Sequence, residues 1–185
     1  MFGILEEERE RFCRLLSSVQ RDGVPETLDW LKSGSFFESP ASSKFHDAAR
    51  GGLVHHSLKV YDIALKLKEE VIATRPDVEE YLQNDSIILC ALLHDVCKIG
   101  LYKEKDDGSF TRVKRTLGKA HGRLSVRWLE EQGLDLMAEE KLAIRWHMGR
   151  YTQDYDKTEW PSDAAEALTH PLTWLIHRAD SLSCK

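Results

Sequence analysis

The sequence predicts an all-α protein that forms a single domain. Apolar residues recur at helical spacing along most of the 185 residues, and strand-like alternation is nearly absent. A chain of this length can bury one sizeable core. Hydrophobic residues make up 42% and charged residues 31% of the chain, which is the balance of an ordinary soluble globular protein.

The predicted helices follow one another along the chain and are separated by turn-forming residues. The first helix has an apolar face of four residues: Leu5, Phe12, Leu16 and Val19. Asp22-Gly23 ends this helix, Pro25 opens the next, and a Gly/Ser/Pro-rich loop covers residues 32–43. Five later helices are predicted at 53–73, 86–98, 120–132, 136–148 and 171–183.

Two local signals refine this assignment. Asn84 or Asp85 is the expected N-cap of the helix at 86–98, because short polar side chains satisfy free backbone N–H groups at helix starts. Residues 99–118 are predicted as an irregular loop or a short hairpin, with Asp107-Gly108 as its turn.

Several classes of protein are disfavoured by composition. No run of 18 apolar residues is present, so no transmembrane helix is expected. The first ten residues lack the basic and apolar regions of a signal peptide, which favours a cytoplasmic protein. The four cysteines form no CxxC pair and are expected as free thiols. The net charge of −5 argues against broad, nonspecific nucleic-acid binding.

The most informative feature is His94-Asp95, at the end of the apolar run that begins at Ser86. Burying a charge without a partner costs several kcal/mol, so the pair requires one. A bound metal ion would satisfy both side chains.

Further metal-ligand candidates lie on the apolar faces of the other predicted helices. With the helix of His94-Asp95, five predicted helices carry such a residue, and one metal centre explains them more simply than five independent core residues do, because helical bundles assemble ligands from facing helices. Histidine and carboxylate without thiolate suit iron, manganese, zinc or nickel, but not calcium. Six residues form the candidate set, which suffices for two metals: His56, His94, Asp95, His121, His147 and Asp180.

The order His…His-Asp…His…His…Asp on an all-α chain resembles the HD-domain superfamily of metal-dependent phosphohydrolases. The segment from Gly51 to His56 resembles the one that carries the first histidine of that family. The resemblance spans residues 45–180. It implies a single HD-type helical bundle over residues 1–185, with N-terminal helices and a loop at 1–44 and a metal-binding helical core at 45–183.

The resemblance also implies how the ligands are shared. One metal would bind His56, His94, Asp95 and Asp180. The second would bind Asp95, His121 and His147, with Asp95 as the bridge. If His121 or His147 is structural instead, a single-metal enzyme remains. Two divalent metals are favoured.

Asp95 and Lys98 are the predicted catalytic residues. Lys98 follows Asp95 by three residues and His94 by four, so it points the same way. It would either hold a substrate oxyanion, as the lysine of His-Asp-x-x-Lys in similar proteins implies, or neutralise the cluster and the helix end.

A basic stretch is the second substrate-binding candidate. It contains six basic residues and no acid, and is either a solvated face or a rim for an anionic substrate: Arg112, Lys114, Arg115, Lys119, Arg123 and Arg127. Arg112, Lys114, Arg115 and Arg123 are the predicted contacts. His46 joins them because HD-domain exoribonucleases resemble this chain around Phe45-His46 and the following glycines. We also expect Glu140 to orient His147, and His177 to support Asp180 from outside the ligand set.

Three functions are weighed on this basis. The first is hydrolysis of a phosphate ester, as a phosphomonoesterase or phosphodiesterase acting on a nucleotide or on a single-stranded nucleic-acid end. The second is a di-iron oxygenase resembling myo-inositol oxygenase, which shares the ligand set. The third is a non-catalytic nucleotide-binding HD module. The basic stretch favours hydrolysis of a small phosphorylated substrate.

Overall fold

The structure is a computed structural model that describes residues 2–44, 47–113, 121–149 and 162–184, and these residues are mainly helical. The α-helices are α1 (Phe2–Ser17), α2 (Val24–Ser33), α3 (Gly52–Thr74), α4 (Asn84–Leu93), α5 (His121–Glu131), α6 (Ala138–Trp146), α7 (Ser162–Ala167) and α8 (Pro171–Ser183). Two 3₁₀ helices, Pro76–Tyr81 and Val96–Lys98, flank α4. The mostly α-helical class predicted from the sequence is confirmed.

Helix α3 organises the bundle. It packs against α4 and α8, while α6 packs against α8 and α5 packs against α6. Helix α1 covers one side by contacting α2, α3 and α4. Side chains from both halves of the chain, including Phe12, Leu53, Leu89 and Ile176, belong to one apolar core. This arrangement brings the ends of α4, α5, α6 and α8 towards the same side of α3.

The predicted hairpin is present. Strand β1 (Tyr102–Glu104) pairs antiparallel with β2 (Phe110–Arg112), and Tyr102 lies opposite Arg112. The Gly108 N–H donates to the Lys105 carbonyl, and Asp107 accepts from the Ser109 N–H. The turn therefore closes one residue earlier than expected, and Gly108 occupies its left-handed position with φ of 76°.

The helix predicted at 86–98 is shorter than expected. Helix α4 ends at Leu93, His94 keeps α-helical angles, and Asp95 leaves them with φ of −113° and ψ of 15°. The predicted cap is wrong, because the N-cap is Gln83 and no side chain caps the helix. The Asn84 side chain instead accepts a hydrogen bond from Lys68 Nζ at 2.7 Å.

Two short elements have no counterpart in the sequence prediction: the 3₁₀ helix Pro76–Tyr81 and α7. Each has six residues, which is too short for an apolar stripe to repeat. All four cysteines are free thiols, as expected. Within the described ranges, no helix combines the length and the apolar character needed to cross a membrane.

Candidate metal centre

The end of α4 carries His94 and Asp95 into the interior. Every residue from Ser86 to Leu93 is buried, so α4 is enclosed on all sides and its last turn has no face towards solvent. His94 is 0% exposed and Asp95 is 3% exposed. The Nδ1–H of His94 donates to the Ala91 carbonyl at 2.9 Å, which directs its Nε2 towards the carboxylates.

Helix α3 contributes His56 from its second turn. Gly52 lets the start of α3 approach the preceding loop, since a Cβ there would lie 1.9 Å from the Asp47 carbonyl oxygen. His56 Nε2 lies 3.2 Å from His94 Nε2 and 3.2 Å from Asp180 Oδ1, which extends from α8.

The other nitrogen of His56 is held by Ser183. The Ser183 hydroxyl donates to the Asp180 carbonyl at 2.7 Å, so its oxygen accepts from His56 Nδ1–H at 3.2 Å. This fixes the tautomer of His56 with an unprotonated Nε2 facing Asp180 and His94.

His121 and His147 come from the adjoining ends of α5 and α6. His121 Nε2 lies 2.5 Å from Asp95 Oδ1, and its Nδ1 lies 3.5 Å from the Cys97 sulfur. His147 Nδ1–H donates to the Ile144 carbonyl at 2.7 Å. Its buried Nε2 lies 3.6 Å from Asp95 Oδ1 and has no hydrogen-bond partner within the described residues.

The four histidines therefore share one arrangement. Each turns Nδ1 towards a protein group and Nε2 towards the carboxylates. Histidines that bind metals are held in this way, because an outer hydrogen bond fixes the ring and leaves the other nitrogen as the ligand. An unpartnered buried Nε2 costs free energy that a metal ion would recover. The donor set thus fits a divalent transition metal.

Asp95 joins the two halves of the cluster through its two oxygens. Its Oδ2 lies 3.4 Å from His94 Nε2 and 3.8 Å from His56 Nε2, whereas its Oδ1 faces His121 and His147. Ligand atoms within 4.8 Å of one another define two candidate metal groups that share Asp95: His56, His94 and Asp95, and Asp95, His121 and His147. Asp95 thus presents one oxygen to each of the two groups.

The charges of the cluster suit cation binding. Burial opposes ionisation of Asp95, but the nearby Lys98, His94 and His121 hold its pKa well below the ordinary value. Burial likewise opposes ionisation of Asp180, yet its contact with the His56 ring and the charge of His94 lower its pKa. Both carboxylates are therefore anionic at neutral pH.

The histidines differ in protonation. Burial lowers the pKa of His147 to about 3 and also lowers the pKa of His56, so both rings are neutral. Burial opposes protonation of His121, but the charges of Cys97 and Asp95 raise its pKa to about 10. Metal binding at His121 must therefore displace a proton.

Lys98 lies against the cluster, with Nζ 2.6 Å from Asp95 Oδ2. Burial acts to lower the pKa of Lys98, but the neighbouring Asp95 carboxylate has the larger effect. The pKa of Lys98 is therefore raised above its ordinary value. Lys98 is therefore a fixed cation. Its ammonium group offsets part of the negative charge of the two carboxylates.

The predicted substrate contacts do not all lie near the metal-ligand candidates. Arg112 lies on β2 opposite Tyr102, and Tyr102 is close enough to Lys98 and Asp95 to be affected by their charges. Arg123 is exposed and lines a groove between α5 and α6 together with Val126 and Lys141, and none of the six candidate ligands lines this groove. His46, Lys114 and Arg115 lie outside the described residues.

The expectation for Glu140 is wrong. This fully buried carboxylate does not contact His147; it accepts hydrogen bonds from Arg21, Ser86 Oγ and the Met137 N–H. His177 lies next to the candidate ligands but contacts the backbone of one of them. Its Nδ1–H donates to the His147 carbonyl at 2.6 Å.

Three residues near the centre carried no sequence signal strong enough to select them. Ser183 bonds His56, Cys97 contacts His121, and the Cys184 sulfur lies 3.9 Å from Asp180 Oδ1. Cys184 comes directly after α8 and keeps helical angles, which places it on the same face as Asp180, four residues earlier.

Comparison with known proteins identifies the family. The HD domain matches residues 53–184, which is well over half of the chain. This chain belongs to the HD-domain family. The resemblance inferred from the ordered histidines and aspartates is thereby confirmed.

A curated relative of this HD-domain protein is the dihydroneopterin 2',3'-cyclic phosphate phosphodiesterase of Methanocaldococcus jannaschii. The two chains are 42% identical over 73 residues, which is 40% of this chain and 28% of the relative. The match thus spans less than a third of the relative's length. Both comparisons support the prediction of a hydrolase. No solved structure gives a significant match.

Proposed function

We propose that this HD-domain protein is a metal-dependent phosphohydrolase whose centre holds two divalent ions bridged by Asp95. The observation that carries the proposal is the division of the Asp95 oxygens, with Oδ2 towards His56 and His94 and Oδ1 towards His121 and His147. Two-metal phosphatases and nucleases use a shared carboxylate in this way.

Each residue of the centre would have a defined role in binding metal or stabilising charge. His56, His94, Asp95 and Asp180 would hold one ion, and Asp95, His121 and His147 the other. Bound divalent ions supply Lewis acidity towards phosphoryl oxygens and lower the pKa of water. Lys98 is too strongly basic to remove a proton, so its role is electrostatic: it stabilises negative charge on the phosphoryl group. Arg112, across the hairpin from Tyr102, extends this positive rim.

The activity of the relative and the charges of the site support one class of substrate. The relative is named as a phosphodiesterase of a 2',3'-cyclic phosphate, which supports a cyclic phosphodiester as substrate for this chain too. A cyclic diester carries a single negative charge, and Lys98 together with the metal ions would neutralise it. A nucleoside 2',3'-cyclic phosphate, or the same group at the end of a single strand, fits the earlier expectation of a nucleotide or nucleic-acid end.

The test is a panel that crosses metals with substrates. Metal-free protein is reloaded with manganese, iron, zinc, nickel or magnesium and given 2',3'-cyclic nucleotides, dihydroneopterin 2',3'-cyclic phosphate, nucleoside mono- and triphosphates, and short single strands. We expect release of a phosphomonoester from a cyclic diester with at least one transition metal.

Two variants control this experiment. Asp95→Ala removes the bridging carboxylate and is expected to abolish turnover, whereas Glu104→Ala, an exposed residue on β1, leaves it intact. Full turnover by Asp95→Ala would overturn the proposal. Oxygen uptake with a mixed-valent di-iron EPR signal would assign the centre to the oxygenase alternative instead.

A further inference from the structure

Cys184 lies at the edge of the candidate metal centre. It is the first residue after α8 and retains helical angles, with φ of −82° and ψ of −2°. It thus follows Asp180 by one helical turn on the same face. Its thiol is 3.9 Å from Asp180 Oδ1 and 3.8 Å from Ser183 Oγ. Both neighbours belong to the machinery around His56.

Three different donor types meet at this point. The imidazole of His56, the carboxylate of Asp180 and the sulfur of Cys184 have ligand atoms within 4.8 Å of one another. Donor atoms bound to one ion at tetrahedral angles and at about 2.0 to 2.3 Å lie about 3.3 to 3.8 Å apart. The 3.2 Å between His56 Nε2 and Asp180 Oδ1 and the 3.9 Å between the Cys184 sulfur and Asp180 Oδ1 are close to these separations, so a small movement of the Cys184 side chain suffices for all three to bind one ion.

The other thiol near the centre is arranged differently. The Cys97 sulfur lies 3.5 Å from His121 Nδ1, the ring nitrogen that faces away from Asp95. A metal bound at His121 Nε2 would have the imidazole ring between itself and Cys97. Cys97 therefore positions the ring, whereas Cys184 lies on the ligand side of Asp180. Among the residues that the structure describes, Cys13 and Cys90 belong to no candidate metal group.

We propose that Cys184 is a sulfur ligand of the ion held by His56 and Asp180, and that it biases this position towards thiophilic ions. This inference rests on the proposed metal centre. Binding would release the thiol proton to the solvent and form a metal–thiolate bond. Thiolate ligands favour zinc, cobalt and iron(II) over magnesium and manganese, which prefer oxygen. The ion at the His56–Asp180 position would then differ in preference from the ion between His121 and His147.

Cobalt(II) is the probe, because a thiolate bound to cobalt gives an intense near-ultraviolet charge-transfer band. The full chain is freed of metal and titrated with cobalt(II), and absorption is recorded against bound metal. The wild type is expected to show the band. Cys184→Ser is expected to lose it, while Cys97→Ser and Cys13→Ser keep it.

A second readout measures metal preference. Cys184→Ser is expected to weaken zinc binding by about 10- to 100-fold, the range seen when a group supporting a metal is removed. Its manganese affinity should change little. An equal loss for both ions would instead indicate a general structural effect and would overturn the inference.

Failure of this inference is distinguishable from failure of the proposed function. If the wild type binds cobalt and hydrolyses a cyclic diester but shows no thiolate band, only the sulfur ligand is excluded. A wild type that binds no cobalt at all would overturn both.

Discussion

Helix α5 crosses the end of α6 where Gly122 meets Arg145: a Cβ on Gly122 would lie 2.3 Å from the Arg145 carbonyl oxygen. The two helices can approach this closely only because residue 122 has no side chain. The contact lies immediately beside His121 on one helix and two residues before His147 on the other. It therefore sets the spacing of the two histidines that face Asp95 Oδ1.

Gly122→Ala is expected to separate these histidines. The added methyl group forces α5 away from α6, at a cost of about 1 to 3 kcal/mol in the free energy of unfolding. The ion between His121 and His147 should be lost, while the one at His56 and Asp180 remains. Metal stoichiometry of purified protein, measured by mass spectrometry, would fall from two equivalents towards one.

Gly133→Ala is the matched control at the other end of α5. Gly133 has φ of 81° and open space around its Cβ position, so alanine there adds backbone strain of about 1 to 2 kcal/mol without a steric clash. Its metal content should equal that of the wild type. If both variants lose metal equally, the Gly122 contact does not set the spacing.

Ser183→Ala tests how His56 is oriented. The substitution removes the oxygen that accepts from His56 Nδ1–H in a fully buried position. The ring then loses the group that fixes its tautomer, and metal affinity should fall by about 10- to 100-fold. Competition with a chromophoric chelator measures the change. Ser181→Ala on the same helix should bind metal like the wild type, and an equal loss there would point to a general effect on α8.

The sequence was sufficient for the parts of the site that depend on local periodicity. His56, His121 and Asp180 were placed correctly on helix faces because apolar residues recur around them at helical spacing. The six candidate ligands lie together in the structure, and their roles as ligands stay a prediction. The end of α4 was predicted too far along the chain. The residue pattern from Cys90 to Lys98 is typical of a continuous helix, although the chain leaves helical angles at Asp95.

Interactions between distant segments were beyond sequence reasoning. Glu140 was expected at His147 because both fall on the helix predicted at 136–148, but Arg21 on the α1–α2 connection binds it from 119 residues away. Ser183 and Cys184 gave no periodic signal, since polar residues at a helix end are ordinary. Their importance depends on how α8 packs against α3, which only the fold defines.

Metal binding should become tighter as pH rises. The pKa of His121 is raised to about 10 in the metal-free protein, so its ring is protonated at neutral pH and must lose a proton to bind metal. Apparent affinity for the ion between His121 and His147 should then increase by about tenfold per pH unit between about pH 7 and 9. His147, with a pKa of about 3, adds no dependence in this range.

Titration with a chelator corrected for its own protonation measures this slope. An affinity that is flat above about pH 7 would show that His121 is already neutral there, and that Asp95 and Cys97 do not hold a proton on its ring.

Glu140 is expected to stabilise the fold without serving the metal centre. Its carboxylate is fully buried and pairs with Arg21 at 3.0 Å, tying the connection between α1 and α2 to α6. Glu140→Ala leaves a largely buried guanidinium without its partner, which typically costs about 3 to 5 kcal/mol. Chemical denaturation should show this loss, and Glu139→Ala beside it should be nearly neutral.

Metal content per folded molecule should stay at the wild-type value, because Glu140 contacts Arg21, Ser86 and Met137 and not His147. A variant of unchanged stability that lost the ion at His147 would contradict this assignment and restore Glu140 as the group that orients His147.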